Sequence, residues 1–150
     1  MKNIILLLSL ASLVCFKVYS DEVSALQKIR YSDQPVEGFI VEITINKGTI
    51  GGLAQLQQKL PPGCTVTPLE LINGAYSFNF PDLEILWSSM PPESEFTISY
   101  MVFVEDNIAG VESAADKFQY LLNNLRGTLY LTSIGRTLPV VSTGYREELI

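Results

Sequence analysis

Paired carboxylates are one arrangement in this sequence that could support catalysis. Close pairs occur at Glu93/Glu95, Glu105/Asp106 and Glu147/Glu148. Glycoside hydrolysis uses two carboxyl groups that flank one bond across a cleft, one of them with a raised pKa. Residues adjacent on a strand point to opposite faces, and Glu93 and Glu95 follow two prolines at a turn. Solvated surface charge is therefore the favoured interpretation, and a small carboxylate-based hydrolase is kept as an alternative.

The other patterns with ligand chemistry are incomplete. Glu105-Asp106-Asn107 offers three oxygen ligands but lacks the alternating spacing of a calcium-binding EF-hand loop. Gly48–Gly52 leads into a predicted strand rather than the helix that follows a phosphate-binding loop. The chain has no histidine and two cysteines, which removes His-based catalytic pairs and leaves too few ligands for a thiolate zinc site. We therefore expect no catalytic residues, no metal and no cofactor.

Aromatic side chains provide a further candidate site. Trp87 and Tyr100, with other rings such as Tyr76 and Tyr130, have the chemistry to stack on a sugar. Stacking requires exposed rings with polar groups nearby. Trp87 alternates with Leu83 and Ile85, which favours a core position. A carbohydrate-binding module that uses exposed aromatics remains an alternative function.

The first twenty residues have the pattern of a targeting sequence rather than of a folded element. Met1-Lys2-Asn3 is followed by an apolar run to Phe16, and Val18 and Ser20 suit the −3 and −1 positions of a cleavage site. This layout predicts a secretory signal peptide over residues 1–20 and one domain over 21–150. An uncleaved anchor and a lipoprotein signal with Cys15 lipidated are the alternatives, and only these two predict membrane association.

Cleavage after Ser20 changes the charge and the cysteine count. It removes Lys2 and Lys17 but no acid, so the net charge goes from −6 to −8. Cys64 then stands alone, and we expect it to be a small buried apolar residue. Export without a disulfide favours a bacterial envelope, which places the protein in the periplasm, at the cell surface or outside the cell. The acidic balance argues against nucleic-acid binding.

The remaining sequence has the twofold period of β-strands. Phe39, Val41, Ile43 and Ile45 alternate with more polar residues, and Phe96 to Val104 repeat the pattern over a longer stretch. Residues 21–34 are predicted as a leader, and Asn73-Gly74 as a hairpin turn. Further strands are predicted over 53–60, 64–71, 76–80, 83–87, 127–133 and 137–142. Short strands separated by Pro and Gly turns predict a mainly β protein, an antiparallel β-sandwich of seven to nine strands.

One segment has a helical period instead. Val111, Ala115, Phe118, Leu122 and Leu125 recur on one face of a helix near residues 111–125, with Asp106 or Ser113 as its cap and Gly127 as its stop. The face is expected to pack on the sandwich. If it does not, Phe118, Leu122 and Leu125 form a partner-binding surface.

The middle of the chain resembles Ig-like domains of exported bacterial surface proteins. The resemblance rests on Leu60-Pro61-Pro62-Gly63, Gly74–Phe78, Leu86–Pro92 and Glu95–Tyr100. It is closest to envelope proteins of gliding bacteria with type IX secretion and covers just under half of the chain. The resemblance implies an Ig-like sandwich that acts as a spacer, an adhesion module or an assembly part. Cys64, where an aromatic is usual, and the helix depart from the pattern.

These observations favour an exported, non-catalytic β-sandwich for protein–protein interaction or a structural role. Its expected partner is another envelope or surface protein. The two alternatives are the carbohydrate-binding module and the hydrolase.

Overall fold

A computed structural model describes residues 23–33 and 37–143. The predicted signal peptide, Cys15 and the Glu147/Glu148 pair lie outside the described residues. Within them no helix has the length and apolar character to cross a membrane.

The described residues form ten strands and one α-helix. In chain order these are β1 (Ser24–Ser32), β2 (Gly38–Asn46), β3 (Ala54–Lys59), β4 (Cys64–Glu70), β5 (Ala75–Asn79), β6 (Asp82–Trp87), β7 (Glu95–Val104), α1 (Ala114–Asn124), β8 (Arg126–Leu131), β9 (Arg136–Pro139) and β10 (Val141–Ser142). A 3₁₀ turn, Thr132–Ile134, joins β8 to β9.

The strands form two five-stranded sheets, which confirms the predicted β-sandwich. The described residues contain ten strands rather than seven to nine, and the short β10 pairs parallel with β1. Sheet A has the order β10-β1-β2-β7-β4, and sheet B the order β5-β6-β3-β8-β9. The series β1-β2-β7-β4 reproduces the order A-B-E-D of a constant-type immunoglobulin sandwich, and β3-β8-β9 reproduces C-F-G. The β5–β6 hairpin lies beside β3 at the end of sheet B, and the helix lies between β7 and β8 in the chain.

The strongest sequence alternations form the centre of sheet A. β2 and β7 pair antiparallel along their length, with Ile43 opposite Ile98 and Val41 opposite Tyr100. The predicted core faces of both strands are buried, because successive side chains point to opposite faces of a sheet. The inward residues of β3, β6 and β8 cover them from sheet B.

The predicted leader is wrong in part, because β1 occupies most of it. Ala25, Gln27 and Ile29 face the core and are almost completely buried. Because the central residue of this inward row, Gln27, is polar, the sequence of β1 does not show the apolar alternation of a strand. The Gln27 side chain donates to Ser142 Oγ (2.9 Å) and accepts from Gln58 Nε2 (2.8 Å), which satisfies it inside the core.

The predicted hairpin at Asn73-Gly74 is also wrong. A tight turn forms there, with Ile72 and Asn73 at positive φ, but β4 belongs to sheet A and β5 to sheet B. The turn therefore carries the chain from one sheet to the other. Turn chemistry specifies a reversal of the chain, whereas strand pairing depends on more distant contacts.

The helix is confirmed, with a shorter span and a shifted face. Ser113 caps it, since its hydroxyl accepts from the Asp116 N–H (3.1 Å) and the Asp116 carboxylate accepts from the Ser113 N–H (3.3 Å). The helix ends at Asn124, three residues before Gly127, which lies in β8.

Candidate interaction surface

The aromatic rings considered for ligand stacking lie in the core. Trp87 is 1% exposed and Tyr100 is fully buried. Trp87 packs edge-to-face on Phe96 of the opposite sheet, with ring centroids 5.5 Å apart. Neither ring offers a free face to a sugar, so these two residues form no stacking site in this fold.

Trp87 also holds the crossover between the sheets. Its indole N–H is shared between the carbonyl oxygens of Leu71 (3.1 Å) and Ile72 (3.2 Å). A Cβ on Gly74 would lie 2.6 Å from Ile85 Cγ2 and 3.0 Å from the indole nitrogen. The glycine therefore permits the close approach of the turn to β6.

The predicted partner-binding face of the helix is turned inward. Phe118 and Leu125 are buried, and Leu122 is half-buried. The buried row runs through Leu121 rather than Leu122, and Ala115 is exposed. The Tyr120 hydroxyl donates to the Pro62 carbonyl (2.8 Å) and ties the helix to the β3–β4 turn. The helix is packed on the sandwich, so this row is not an open docking face.

Cys64 is buried as expected. Burial, with a smaller contribution from Glu105, raises the pKa of its thiol to about 11. A thiol in this setting is mostly protonated near neutral pH and is a poor nucleophile.

A cavity of about 170 Å³ lies where sheet A meets the start of α1. Glu37 and Asp106 both line it, but each already has a partner: the Tyr31 hydroxyl donates to Glu37, and Lys117 pairs with Asp106. The hydrogen bond and charge of Lys117 lower the pKa of Asp106. A general acid needs a raised pKa, so the shift at Asp106 is opposite to the one that this role requires.

The other candidate sites, a metal site and the glycine-rich segment Gly48–Gly52, show no arrangement for binding a ligand in the described residues. Among residues 23–33 and 37–143, no group of three or more potential ligands is placed to hold a metal ion. Gly48–Gly52 forms the connection between β2 and β3, where Gly48 and Gly52 have positive φ. Lys47 beside it is buried and donates to the Ile50 carbonyl (2.9 Å).

The edges of the two sheets differ in how they are protected against pairing with another strand. β4 has a register shift between Pro68 and Glu70. β9 is four residues long and contains Arg136 and Pro139, and β10 has two residues. Bulges, prolines, charges and short length all discourage the addition of another strand.

β5 is the exception among the four terminal strands of the two described sheets. Its sequence, Ala75-Tyr76-Ser77-Phe78-Asn79, contains no charge, no proline and no bulge. It pairs with β6 on one side, and alternate residues of an edge strand direct their N–H and C=O groups away from the sheet. These groups are a ready template for another extended strand.

Exposed apolar side chains lie on this strand and near it. Tyr76 is 37% exposed and Phe80, at the β5–β6 turn, is 52% exposed. Leu86 on β6 and Leu69 on β4 are also exposed. The Tyr76 hydroxyl lies 3.4 Å from the Val66 carbonyl oxygen, so β4 of sheet A lies close to β5 of sheet B. We call β5 with Leu69, Phe80 and Leu86 the β5 edge.

The sequence predicts a strand over 76–80 but does not identify it as an edge. In the structure Phe78 is opposite Leu83 and Tyr76 opposite Ile85, so both rings lie on the inward side of sheet B. The absence of charge in Ala75–Asn79 was the available signal, because edge strands are usually guarded by charged side chains.

Comparison with known proteins does not assign this chain to a family. The sequence matches no protein-family model, and no curated protein matches it.

Proposed function

We propose that this protein is an exported, non-catalytic β-sandwich module that binds another protein, with a role in the bacterial envelope. The observation that carries the proposal is the β5 edge, an unguarded strand that contains exposed Tyr76 and is followed by exposed Phe80. Pairing at a sheet edge gains main-chain hydrogen bonds, and neighbouring apolar side chains add burial and selectivity. The proposal of export rests on the signal-peptide pattern of residues 1–20 and on the resemblance to exported Ig-like domains.

Two features of the fold support an interaction role over catalysis. The β5–β6 hairpin forms one end of sheet B, and it carries the unguarded edge. The cavity beside α1 is small, and its carboxylates are engaged by Tyr31 and Lys117.

The test is affinity purification from the envelope fraction of the source cells, with the tagged protein in its released form as bait. Ser77→Glu adds a charge at the centre of the exposed β5 strand, and Thr137→Glu adds the same charge to the exposed β9 strand. We expect the wild type and Thr137→Glu to retain the same partner chain, and Ser77→Glu to lose it. Equal retention by all three proteins, or none, would refute binding through β5.

A second candidate, carbohydrate binding, is favoured by one observation on the face of sheet B that points away from sheet A. The Tyr130 ring is 36% exposed, and its hydroxyl lies 3.5 Å from Gln57 Oε1. Gln55 is opposite Tyr130 in the ladder, so amides and one ring share this surface. A glycan panel tests it: binding must occur with wild type and vanish in Tyr130→Ala, and failure of the whole panel rejects the candidate.

A further inference from the structure

We propose that the partner at the β5 edge is a second copy of this chain, paired antiparallel about Ser77. The inference rests on the proposed function, since it uses the same edge, and it goes further by naming the occupant. A twofold pairing of this kind joins the two B sheets into one sheet of ten strands.

The sequence of β5 is suited to pairing with itself. Centring the pairing on Ser77 places Tyr76 of one copy opposite Phe78 of the other, twice. Tyr76 and Phe78 lie on the same side of the strand, the side of Leu83 and Ile85. The two aromatic cross-strand pairs therefore form on one face, and such pairs are favourable in antiparallel sheets. A register shifted by one residue would place aromatic side chains opposite small or polar ones.

Charge does not oppose this pairing strongly. The chain has a net charge of −6, but β5 itself is uncharged. The nearest carboxylate in the centre of the ladder is Glu84, opposite Ser77 and one strand back from the edge. The two copies of Glu84 would be separated by three strand spacings, about 14 Å. This exceeds the screening length of about 8 Å at physiological ionic strength, so their repulsion is largely screened.

The exposed area indicates a weak dimer. At roughly 200 Å² for a fully exposed aromatic side chain, Tyr76 (37% exposed) and Phe80 (52% exposed) offer about 180 Å² per copy. With the strand pairing, the total stays below about 1,200 Å², the range of transient complexes. We therefore expect a weak, transient dimer and a monomer at high dilution.

Sedimentation of the released protein over a concentration series tests the dimer. We expect the wild type, Ser77→Thr and Thr137→Glu to dimerise alike, and Ser77→Glu to weaken association at least tenfold. Added salt should leave the wild-type affinity unchanged or raise it, because it screens the repulsion between two acidic chains. Circular dichroism of each variant verifies that the fold is intact.

A cysteine pair tests the register. In this pairing the two Ser77 Cα atoms lie about 4.5–5.5 Å apart, within the range of a disulfide. Mild oxidation should convert Ser77→Cys into a covalent dimer. Ala75→Cys is the matched control, because its two copies would be about 14 Å apart. Equal cross-linking of the two variants would refute the register.

The outcomes separate this inference from the proposed function. A chain that stays monomeric at all concentrations, while another protein binds it in a Ser77-dependent manner, overturns the second copy and leaves the proposed function intact. A dimer that persists in Ser77→Glu also overturns the inference, because its interface lies elsewhere. Loss of both dimer and Ser77-dependent capture rejects both proposals.

Discussion

Gln58 is a fully buried polar residue that depends on a glycine for its space. Its side-chain nitrogen donates to Gln27, and its side chain lies against Gly127 of the neighbouring strand. A Cβ on Gly127 would lie 2.7 Å from Gln58 Cδ and nearer still to Oε1. Any larger residue at 127 must therefore displace a buried carboxamide whose nitrogen is bonded to Gln27.

Gly127→Ala should accordingly lower the free energy of unfolding by about 2 kcal/mol, from steric strain and the disturbed hydrogen bond. Gly51→Ala is the control, since a Cβ there meets nothing within 4 Å. Urea denaturation measures both variants. Similar stability of the two would show that Gln58 moves aside without cost.

The Cys64 thiol gives a prediction about reactivity. Its pKa of about 11 leaves on the order of a thousandth of the thiol ionised at pH 8, and its side chain is buried. We expect an aromatic disulfide reagent to modify Cys64 at the rate of unfolding in native buffer, and rapidly in denaturant. Fast modification of the folded protein would contradict the buried position.

At the scale of elements, the start of α1 depends on the Ser113–Asp116 capping box. Ser113→Ala should reduce stability by about 1 kcal/mol, as the loss of an N-cap does elsewhere. Ser133→Ala, in the exposed 3₁₀ turn, is the control, since that turn has no side-chain cap. Thermal unfolding of both variants measures the difference, and equal melting temperatures would contradict the cap.

The same capping box predicts a pH dependence. The hydrogen bonds from Ser113 lower the pKa of Asp116 in the folded state. A lowered folded pKa means that the stabilising contribution is present above the unfolded pKa and is lost as the pH falls through the folded value. Asp116→Asn should therefore be less stable than wild type at neutral pH and approach it in acid. A constant difference across this pH range would exclude the titration of Asp116 as the cause.

The elements also show where sequence reasoning succeeds. β2 and β7 are predicted because every inward position carries an apolar residue. β1 is missed because its central inward residue is Gln27, whose partners, Gln58 and Ser142, lie far away in sequence. The pairing of β4 and β5 is missed for the same reason, since local turn residues do not specify a sheet.

The candidate site was harder to predict than the fold. Trp87 and Tyr76 are both aromatic residues on alternating strands, yet one is buried between the sheets and the other lies at an edge. The difference arises from the position of each strand in its sheet, which depends on long-range pairing. Residue type alone therefore identified aromatic rings that could bind a ligand, but the two that it selected, Trp87 and Tyr100, are buried.

At the scale of the whole molecule, Trp87 joins the two sheets. It is the only tryptophan of the chain, contacts Phe96 of sheet A and bonds to the crossover turn. We expect its fluorescence change and the far-ultraviolet circular dichroism to follow one unfolding transition in denaturant, because neither sheet keeps its core without the other. Two separate midpoints would show that the sheets unfold independently.

The protection of three sheet edges determines how far assembly can proceed. A strand that pairs with its own copy about a twofold axis uses the same edge of both molecules, so the contact is closed. The bulge of β4, the charge and proline of β9 and the short length of β10 discourage a second point of growth within the described fold. A single unguarded strand in this arrangement ends in a particle of fixed size, whereas two would permit an endless fibre.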